Sequence, residues 1–402
     1  MSVCVLEAIR VPRGKGRESG ALHSVKPVDL LKTLFDEMQT RTAIDTKVVD
    51  EVVLGCVTQV GDQGANIAQA ASLYAGWEPK GSGTTVSSYC TSGITACAIA
   101  AAKITAGQGD VFAVGGVESM SRVPMMSDKG ALFVDPAVSG KLPFIPNGIV
   151  ADFVASREGF TREQLDQYAA DSHNKAAFAT EQGYFSRSLV PVKDAEGNVL
   201  LAQDESIRGN SSIETMAGLN PMFAGMGAKG GFDELLCREY PQVKEIIHDH
   251  HAGNSPGMVD GASLALLASS ESAEKLGLPV RAKLIAFSSK RGPVIEGLTG
   301  GLYAAQDVLE RAGMNAADID LWEFNEGFAG IAMNFQRQLN IPNDRFNVNG
   351  SGIAMGHAMG ATGVNILGMM TDELERRDLR TGLIAISGAA GIGGAMIVQR
   401  GS

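Results

Sequence analysis

The feature that most constrains the fold of this chain is an α/β pattern that occurs twice, in the first third and again in the last third. Apolar strands and helices follow one another in both thirds, which is typical of helices packed on a β-sheet. The segment VVDEVV is similar to DIDLWE, and FAVGGVES is similar to IAISGAAG. This repetition predicts an internal duplication of one α/β half.

The pattern also places individual elements. In the first third we predict a strand at Val3 to Ala8, a helix at Pro27 to Gln39 and a buried strand at Val111 to Gly115. The last third has a helix around Ala304 to Ala312 and a final apolar strand, GLIAISG. The fold class that follows is α/β.

The region between the halves, roughly residues 121–258, has a different character. Its loops are rich in Met, Pro and Gly, and it contains a helical pattern at Thr161 to Gln182. Because long irregular segments inside compact folds are usually functional, we interpret this region as an inserted loop domain that covers the site. The N-terminal half is then 1–120, completed by about 259–281, and the C-terminal half is 282–402.

Charge and cysteine content argue against several function classes. The chain has 34 Lys and Arg against 45 Asp and Glu, and its formal charge of −11 disfavours a broad surface for nucleic acid or anionic membranes. The cysteines are 5 in number and lack CxxC spacing, so we expect neither a disulfide framework nor a zinc ribbon. The sequence shows no secretory signal pattern and no membrane-spanning apolar segment, so we expect a cytoplasmic protein.

Cys90 is the first candidate catalytic residue. A β-rich stretch ends at Cys90 and a helix of small residues follows, so the thiol is predicted at a strand-to-helix turn. The positive end of a helix dipole lowers the pKa of a thiol and favours the nucleophilic thiolate. The alternative is a buried structural cysteine, which is also how we interpret Cys97 in the helix that follows.

His357 and Asn325 are candidates for the groups that would act with a nucleophile. His357 lies among glycines in GIAMGHAMGATG, and an imidazole can accept a proton from a thiol near neutral pH. A satisfied structural histidine is the alternative. Asn325, in FNEGFAG, could hold a water or donate to a developing oxyanion, and Glu326 beside it could be structural or acidic.

Six segments in order, VSSYCTSG, GGVESMSRVPM, AGNSPGMVDGAS, LWEFNEGFAG, NGSGIAMGHAMGATG and SGAAGIGGAMI, resemble the thiolase family over essentially the whole chain. The resemblance implies two duplicated halves in α-β-α-β-α layers with an inserted loop domain. It also implies thiolytic cleavage of a 3-oxoacyl-CoA, or the reverse Claisen condensation. Coenzyme A would be a substrate rather than a permanently bound cofactor, no metal would be needed, and the protein would be a homodimer or homotetramer.

The resemblance also implies roles for individual residues. Cys90 would take the acyl group as a thioester, and His357 would activate its thiol. His357 and a water held by Asn325 would stabilise the enolate oxygen, while the backbone N–H groups of Cys90 and Ala389 would bind the thioester oxyanion. Contacts to substrate or CoA are expected from further residues of the motifs and the loop domain: Ser255, Asn147, Arg208 and Gly388.

Three departures from the family pattern stand out. Ser387 occupies the position of the family's second cysteine, and an alcohol exchanges protons at neutral pH far less readily than a thiol. Pro146 and Asn147 replace the His-Met pair of many acetoacetyl-CoA thiolases, which removes support for that specificity. The extra stretch GMGAKGGFDELLCREYPQVKEIIHDHH resembles thiolases associated with bulky ring-derived acyl-CoAs.

The end of that extra stretch carries His248, His250 and His251. No Cys, Asp or Glu pattern completes a metal site around them. We expect a solvated loop. The functional alternative is that His250 or His251 replaces the missing acid/base.

Three functions are compatible with these residues. The first is a CoA-dependent thiolase that degrades fatty or bulky ring-derived acyl-CoAs through an acyl-Cys90 intermediate. The second is an acyltransferase to a non-CoA acceptor, suggested by Ser387. The third is a catalytically weak, acyl-CoA-binding subunit, and Cys90, Asn325 and His357 together argue against it, since a binding module does not need all three groups.

Overall fold

The structure is a computed structural model that describes residues 3–401. Its strands are β1 (Val3–Arg10), β2 (Gly14–Lys15), β3 (Glu51–Gly55), β4 (Gly83–Val86), β5 (Val111–Ser119), β6 (Val192–Lys193), β7 (Val199–Leu201), β8 (Val259–Ser269), β9 (Ala282–Arg291), β10 (Leu321–Phe324), β11 (Thr381–Ser387) and β12 (Ile392–Arg400).

The helices are α1 (Pro27–Thr42), α2 (Ile67–Tyr74), α3 (Ser92–Thr105), α4 (Ala131–Val134), α5 (Pro136–Ser139), α6 (Asn147–Glu158), α7 (Arg162–Glu181), α8 (Ile213–Met216), α9 (Ala224–Lys229), α10 (Phe232–Glu239), α11 (Ser270–Leu276), α12 (Gly300–Ala312), α13 (Ala329–Gln338), α14 (Gly352–Met355) and α15 (Thr362–Arg376). The elements predicted near Pro27, Val111, Thr161 and Ala304 are all present, with ends shifted by a few residues.

The sheet has the same strand arrangement in both halves. In the first half β3 and β5 are parallel, β8 is antiparallel to β5, and β1 is antiparallel to β8. In the second half β10 and β11 are parallel, β12 is antiparallel to β11, and β9 is antiparallel to β12. The predicted duplication is therefore confirmed by topology.

The two halves are joined through their β1 and β9 strands. Val3 to Val5 pair with Ala282 to Leu284, so strands of both halves form one mixed sheet in the order β10-β11-β12-β9-β1-β8-β5-β3-β4. The two sheets of the α-β-α-β-α layers are continuous because β1 and β9, related strands at the inner edge of each half, bond to each other.

Helices α3 and α15 form the central layer. Their apolar side chains, including Ile94, Cys97, Val364 and Met370, belong to one buried cluster together with side chains from strands of both halves. Helices α1 and α2 pack on the outer face of the first half, and α12 and α13 on the outer face of the second. These layers match the expected α-β-α-β-α arrangement, and Cys97 is a buried core residue as interpreted.

The central helices approach each other closely at two glycines. A Cβ on Gly363 would lie 2.4 Å from the backbone N of Ile94, and one on Gly93 would lie 2.9 Å from the N of Gly363. Only residues without a side chain allow such contact between two helix starts. Because Cys90 precedes α3 and His357 precedes α15, this packing brings the two candidate segments to one place.

The loop domain packs mainly on the second half. Ile149 and Phe153 of α6 share a buried cluster with Trp322 and Phe335. The long helix α7 begins with a capping box in which Thr161 and Gln164 exchange side-chain to backbone hydrogen bonds. Residues 121–258 thus lie over the same part of the fold that carries Asn325.

No helix within residues 3–401 has the length and apolar character needed to cross a membrane.

Replacing Gly363 by alanine should destabilise the protein, because the new Cβ has no room beside Ile94. We expect the free energy of unfolding, measured by urea titration, to fall by about 1–3 kcal/mol. Gly225→Ala in α9 is the matched control, since nothing lies within 4 Å of its Cβ position. This control should leave stability unchanged or raise it by up to about 1 kcal/mol. Equal unfolding free energies for both variants would contradict the packing argument.

Candidate active site

Cys90 lies on a tight turn between β4 and α3, as predicted. Tyr89, directly before it, has a φ of +50°, a left-handed conformation that is uncommon for a residue with a side chain. Ser92 Oγ donates to the carbonyl of Tyr89 and accepts from the N–H of Ser88 at 2.9 Å. These bonds hold the turn that presents the Cys90 thiol at the start of α3.

The thiol of Cys90 is buried, with 6% of the residue exposed. Burial raises its pKa to about 12, and the backbone N–H groups of Cys90 and Ala389 oppose this rise only in part. The expected lowering of the thiol pKa by the helix start is therefore wrong, because loss of solvent outweighs the helix N–H groups. In this state the sulfur is a protonated thiol that needs a base.

The turn after β11 lies directly against Cys90. A Cβ on Gly388 would be 3.4 Å from the Cβ of Tyr89 and 3.5 Å from the N of Cys90. The backbone N–H of Ala389, in this turn, lowers the pKa of the Cys90 thiol, as the N–H of Cys90 does. Two backbone donors, from Cys90 and Ala389, thus meet at the candidate nucleophile.

Ser387 ends β11 next to this turn and is buried. Its Oγ accepts a hydrogen bond of 2.8 Å from the backbone N–H of Gly301 near the start of α12. A Cβ on Gly301 would approach that Oγ to 2.7 Å, so the site around Ser387 is tightly packed. The hydroxyl is held as an acceptor by the backbone.

His357 lies between α14 and α15, and its hydrogen bonds define its tautomer. Nδ1 is 2.8 Å from Thr362 Oγ1, and that hydroxyl donates to the carbonyl of Ala358 at 3.0 Å. Since the single hydroxyl proton goes to Ala358, Nδ1 carries the imidazole proton and donates it to Thr362. Nε2 is left as a lone-pair acceptor, buried and without a partner.

The imidazole of His357 is neutral at physiological pH. Burial, together with the positive charge of Arg13, lowers its pKa to about 3. A neutral ring with a free Nε2 can accept a proton from a thiol. The geometry thus favours the interpretation as a base over that of a satisfied structural histidine, whose ring nitrogens would both be bonded.

Two charged residues that sequence reasoning missed hold the His357 segment. The Nη1 of Arg13 donates to the carbonyl of Gly356 at 3.1 Å, and the carboxylate of Glu118 accepts from the N–H of Gly360 at 3.0 Å. Both side chains are almost fully buried. The sequence signal that could have identified Glu118 is its position at the end of the apolar segment FAVGGVES. A carboxylate buried with such a segment needs hydrogen-bond partners.

Asn325 follows β10 and lies beside the same loops. Its backbone N–H donates to Ala385 at 3.1 Å, and a Cβ on Gly352 would lie 2.8 Å from its Oδ1. Gly352, shortly before His357, therefore leaves room for the amide. The neighbouring Glu326 is structural, since its buried carboxylate accepts from Ser172 Oγ at 2.6 Å and Tyr168 OH at 3.0 Å.

The candidate CoA contacts have different surroundings. The Oγ of Ser255 and the Oδ1 of Asn147 are buried and have no hydrogen-bond partner. Arg208 is exposed, and its Nη2 lies 3.0 Å from Nε2 of His173 in α7. Arg208 is thus tied to α7 rather than to the segments that carry Cys90 and His357.

The three histidines before the AGNSPG segment are not in a solvated loop, contrary to our expectation. His250 and His251 are fully buried, and His248 is largely buried. His250 Nδ1 is 2.7 Å from Asp152 and His251 Nε2 is 2.8 Å from Asp166. Neither ring has a free nitrogen, because Nε2 of His250 and Nδ1 of His251 accept backbone N–H groups, so neither replaces the missing acid/base.

Metal-binding geometry is not found in the part of the chain that the structure describes. No group of three or more His, Cys, Asp or Glu side chains within residues 3–401 is placed to hold a metal ion.

Two family models match most of the chain. The thiolase N-terminal domain model matches residues 3–230 and the thiolase C-terminal domain model matches residues 278–400. A 3-ketoacyl-CoA thiolase of Marinomonas sp. (strain MWYL1) is 35% identical, covering 99% of this chain and 98% of that protein. The 3-oxoadipyl-CoA/3-oxo-5,6-dehydrosuberyl-CoA thiolase of Escherichia coli (strain K12) is 34% identical, with 98% of each chain covered.

Two solved structures superpose on nearly the whole chain. The Bacillus anthracis acetyl-CoA acetyltransferase superposes with a TM-score of 0.85 at 30% identity, covering 99% of this chain and 98% of its own. Human mitochondrial 3-ketoacyl-CoA thiolase superposes with a TM-score of 0.87 at 25% identity, covering 100% and 99%.

The raised pKa of Cys90 predicts how its reactivity depends on pH. We expect its alkylation by iodoacetamide to accelerate about tenfold per pH unit from pH 7 to 10, since only the thiolate reacts. Peptide mass spectrometry of timed samples measures this rate, and alkylation of the partly exposed Cys237 in the same digest controls for the reagent. A plateau already reached at pH 7 would show a preformed thiolate and contradict the assignment of a protonated thiol.

Proposed function

The chain belongs to the thiolase family, and we propose that it cleaves a 3-oxoacyl-CoA through an acyl thioester on Cys90. It is a CoA-dependent acyltransferase of the kind that degrades acyl-CoAs. The observation that carries the proposed mechanism is the free Nε2 of neutral His357. The loop that carries His357 lies close to Cys90, because Gly363 at the start of α15 contacts Ile94 at the start of α3, the helix that follows Cys90.

In the first half-reaction His357 Nε2 takes the proton of the Cys90 thiol, and the thiolate attacks the 3-oxo carbon of the substrate. The N–H groups of Cys90 and Ala389 stabilise the oxyanion that forms. The bond between carbons 2 and 3 then breaks, and its electron pair passes into the enolate of acetyl-CoA. Asn325, through a bound water, and His357 stabilise the enolate oxygen, and the imidazolium returns the proton to carbon 2.

In the second half-reaction the thiol of free CoA attacks the acyl group on Cys90. His357 takes the proton of the CoA thiol, the same two N–H groups stabilise the oxyanion, and Cys90 leaves as a thiolate that recovers the proton. One base therefore serves both steps. This proposal is motivated by Ser387, whose hydroxyl accepts from Gly301 and replaces the family's second cysteine.

The proposal also covers the residues that bind CoA and the acyl group, the class of substrate and the oligomeric state. We place the pantetheine and acyl groups beside Ser255 and Asn147, whose buried oxygens have no other partner, and beside Gly388. Arg208, at the surface, is a candidate for the CoA phosphates. The acyl substrate is a fatty or bulky ring-derived chain, no cofactor is held permanently, and the protein acts in the cytoplasm as a homodimer or homotetramer.

The decisive experiment mixes the protein with acyl-CoAs and 3-oxoacyl-CoAs of several lengths and ring contents, followed by free CoA. We expect mass spectrometry to find an acyl group on Cys90 that disappears on addition of CoA. Cys90→Ala should neither load nor cleave substrate, while Cys97→Ala is the matched control in the same helix region. Thiolysis of the best substrate by Cys90→Ala would refute the nucleophile assignment.

Ser387→Cys tests whether one base is sufficient. Because His357 already transfers the proton in both half-reactions, we expect kcat for thiolysis to rise less than about tenfold. Restoring an acid/base group that the mechanism needs would instead raise kcat by about 10²- to 10⁴-fold. Steady-state kinetics with the substrate that loads fastest gives this value. A gain of about 100-fold or more would show that Ser387 has weakened the chemistry. An acyl-Cys90 that wild-type protein cannot pass to CoA would instead favour a non-CoA acceptor.

A further inference from the structure

The proposed function does not use His250, yet both of its ring nitrogens are hydrogen-bonded. It is completely buried, its Nδ1 lies 2.7 Å from Asp152 Oδ1, and its Nε2 accepts from the backbone N–H of Gly330 at 3.1 Å. An imidazole with both nitrogens bonded in this way has a defined tautomer and orientation. His250 is therefore a fixed link between the loop domain and the second half of the fold.

The carboxylate of Asp152 fixes the tautomer of His250. In addition to the bond with the His250 ring, Asp152 Oδ1 accepts hydrogen bonds from the backbone N–H groups of Asp249 at 3.1 Å and His250 at 3.0 Å. Although burial opposes ionisation, hydrogen bonds from His248 and His250 lower the pKa of Asp152. An ionised carboxylate accepts the Nδ1 proton of His250, so Nε2 is the acceptor that Gly330 requires.

Gly330 lies in the first turn of α13, the helix that begins shortly after Asn325. The preceding N–H, of Ala329, donates to the carbonyl of Asn254 at 3.1 Å. The ring of Phe328 packs edge to face on His250 with centroids 5.6 Å apart. The segment around His250 and Asn254 thus satisfies free N–H groups at the start of α13, as a cap does.

The loop between β10 and α13 carries Asn325 and is held at both ends. At one end the N–H of Asn325 donates to Ala385 in β11, and at the other end the N–H of Gly330 donates to His250. A Cβ on Gly330 would lie 3.1 Å from His250 Cε1, so the imidazole fits closely on the backbone. Removing the acceptor at His250 would leave only the bond from the Ala329 N–H to Asn254 at this end of the loop.

We propose that His250 is a positioning residue that holds Asn325, and with it the binding point of the enolate oxygen, through its hydrogen bond to Gly330. This inference rests on the proposed function, in which Asn325 binds the water that faces the enolate. It assigns His250 no contact with substrate and no proton transfer. The step that depends on it is formation of the enolate, whereas acetylation of Cys90 by acetyl-CoA, in which the CoA thiolate leaves and no enolate forms, relies on the N–H groups of Cys90 and Ala389.

His248 provides a matched control in the same segment. Its Nδ1 lies 2.7 Å from the other oxygen of Asp152, and its Nε2 lies 3.2 Å from Asp233. The two histidines therefore share a carboxylate, but only His250 bonds to α13. Loss of His248 removes a comparable interaction with the loop domain and leaves the acceptor for Gly330 in place.

The test compares wild-type protein with His250→Phe, His250→Gln and His248→Phe in two reactions of acetyl-CoA. Exchange of its methyl protons with D2O reports enolate formation, and acetylation of Cys90, followed by mass spectrometry, reports the nucleophile. We expect His250→Phe to slow exchange by about 10- to 100-fold, since small misplacements of reacting groups have effects of this size. Acetylation should change less than about threefold.

The conservative variant and the control complete the test. His250→Gln keeps an acceptor for the Gly330 N–H, so we expect exchange to recover to within about fivefold of wild type. His248→Phe should exchange at the wild-type rate, and thermal unfolding of all variants shows whether each is folded.

Three results would overturn the inference: wild-type exchange in His250→Phe, an equal loss of exchange and acetylation in that variant, or the same loss in His248→Phe. Failure of the proposed function has a different signature. Wild-type protein would then neither acetylate Cys90 nor exchange the methyl protons, and this inference would fall with it.

Discussion

The rest of the structure depends on the close contact between α3 and α15, the two helices buried between the halves of the sheet. Gly93 and Gly363 let the helix starts touch without intervening side chains. The turn before α3 carries Cys90, and the loop before α15 carries His357. A duplicated fold therefore produces one site from two equivalent positions, because the N-termini of its two central helices meet.

Burial determines the protonation states at this meeting point. The Cys90 thiol is a poor acid and the His357 imidazole a poor base in the absence of substrate, because burial disfavours the charged form of each. Both groups are consequently neutral in the absence of substrate. Charges that the fold does bury, on Arg13 and Glu118, are paired with backbone groups of the His357 loop and hold it in place.

Residues 121–258 contact the loop that carries Asn325 through side-chain hydrogen bonds. Glu326 is bonded by Tyr168 and Ser172 of α7, and Gly330 by His250. These contacts surround Asn325 from the side of the insertion. The extra residues before the AGNSPG segment thus contribute bonds to the second half of the fold, which explains why the histidines at their end are buried.

The sequence by itself determined the α/β class and the duplication, and it singled out Cys90, Asn325 and His357 as candidates, because periodicity and motif order are properties of the chain. It could not determine which groups are buried, since burial depends on what packs against them. The thiol pKa at Cys90 and the environment of His250 were therefore predicted wrongly. The joining of the halves through β1 and β9, the tautomer of His357 and the roles of Arg13, Glu118 and Gly330 were decided only by tertiary structure, because each depends on contacts between residues far apart in the sequence.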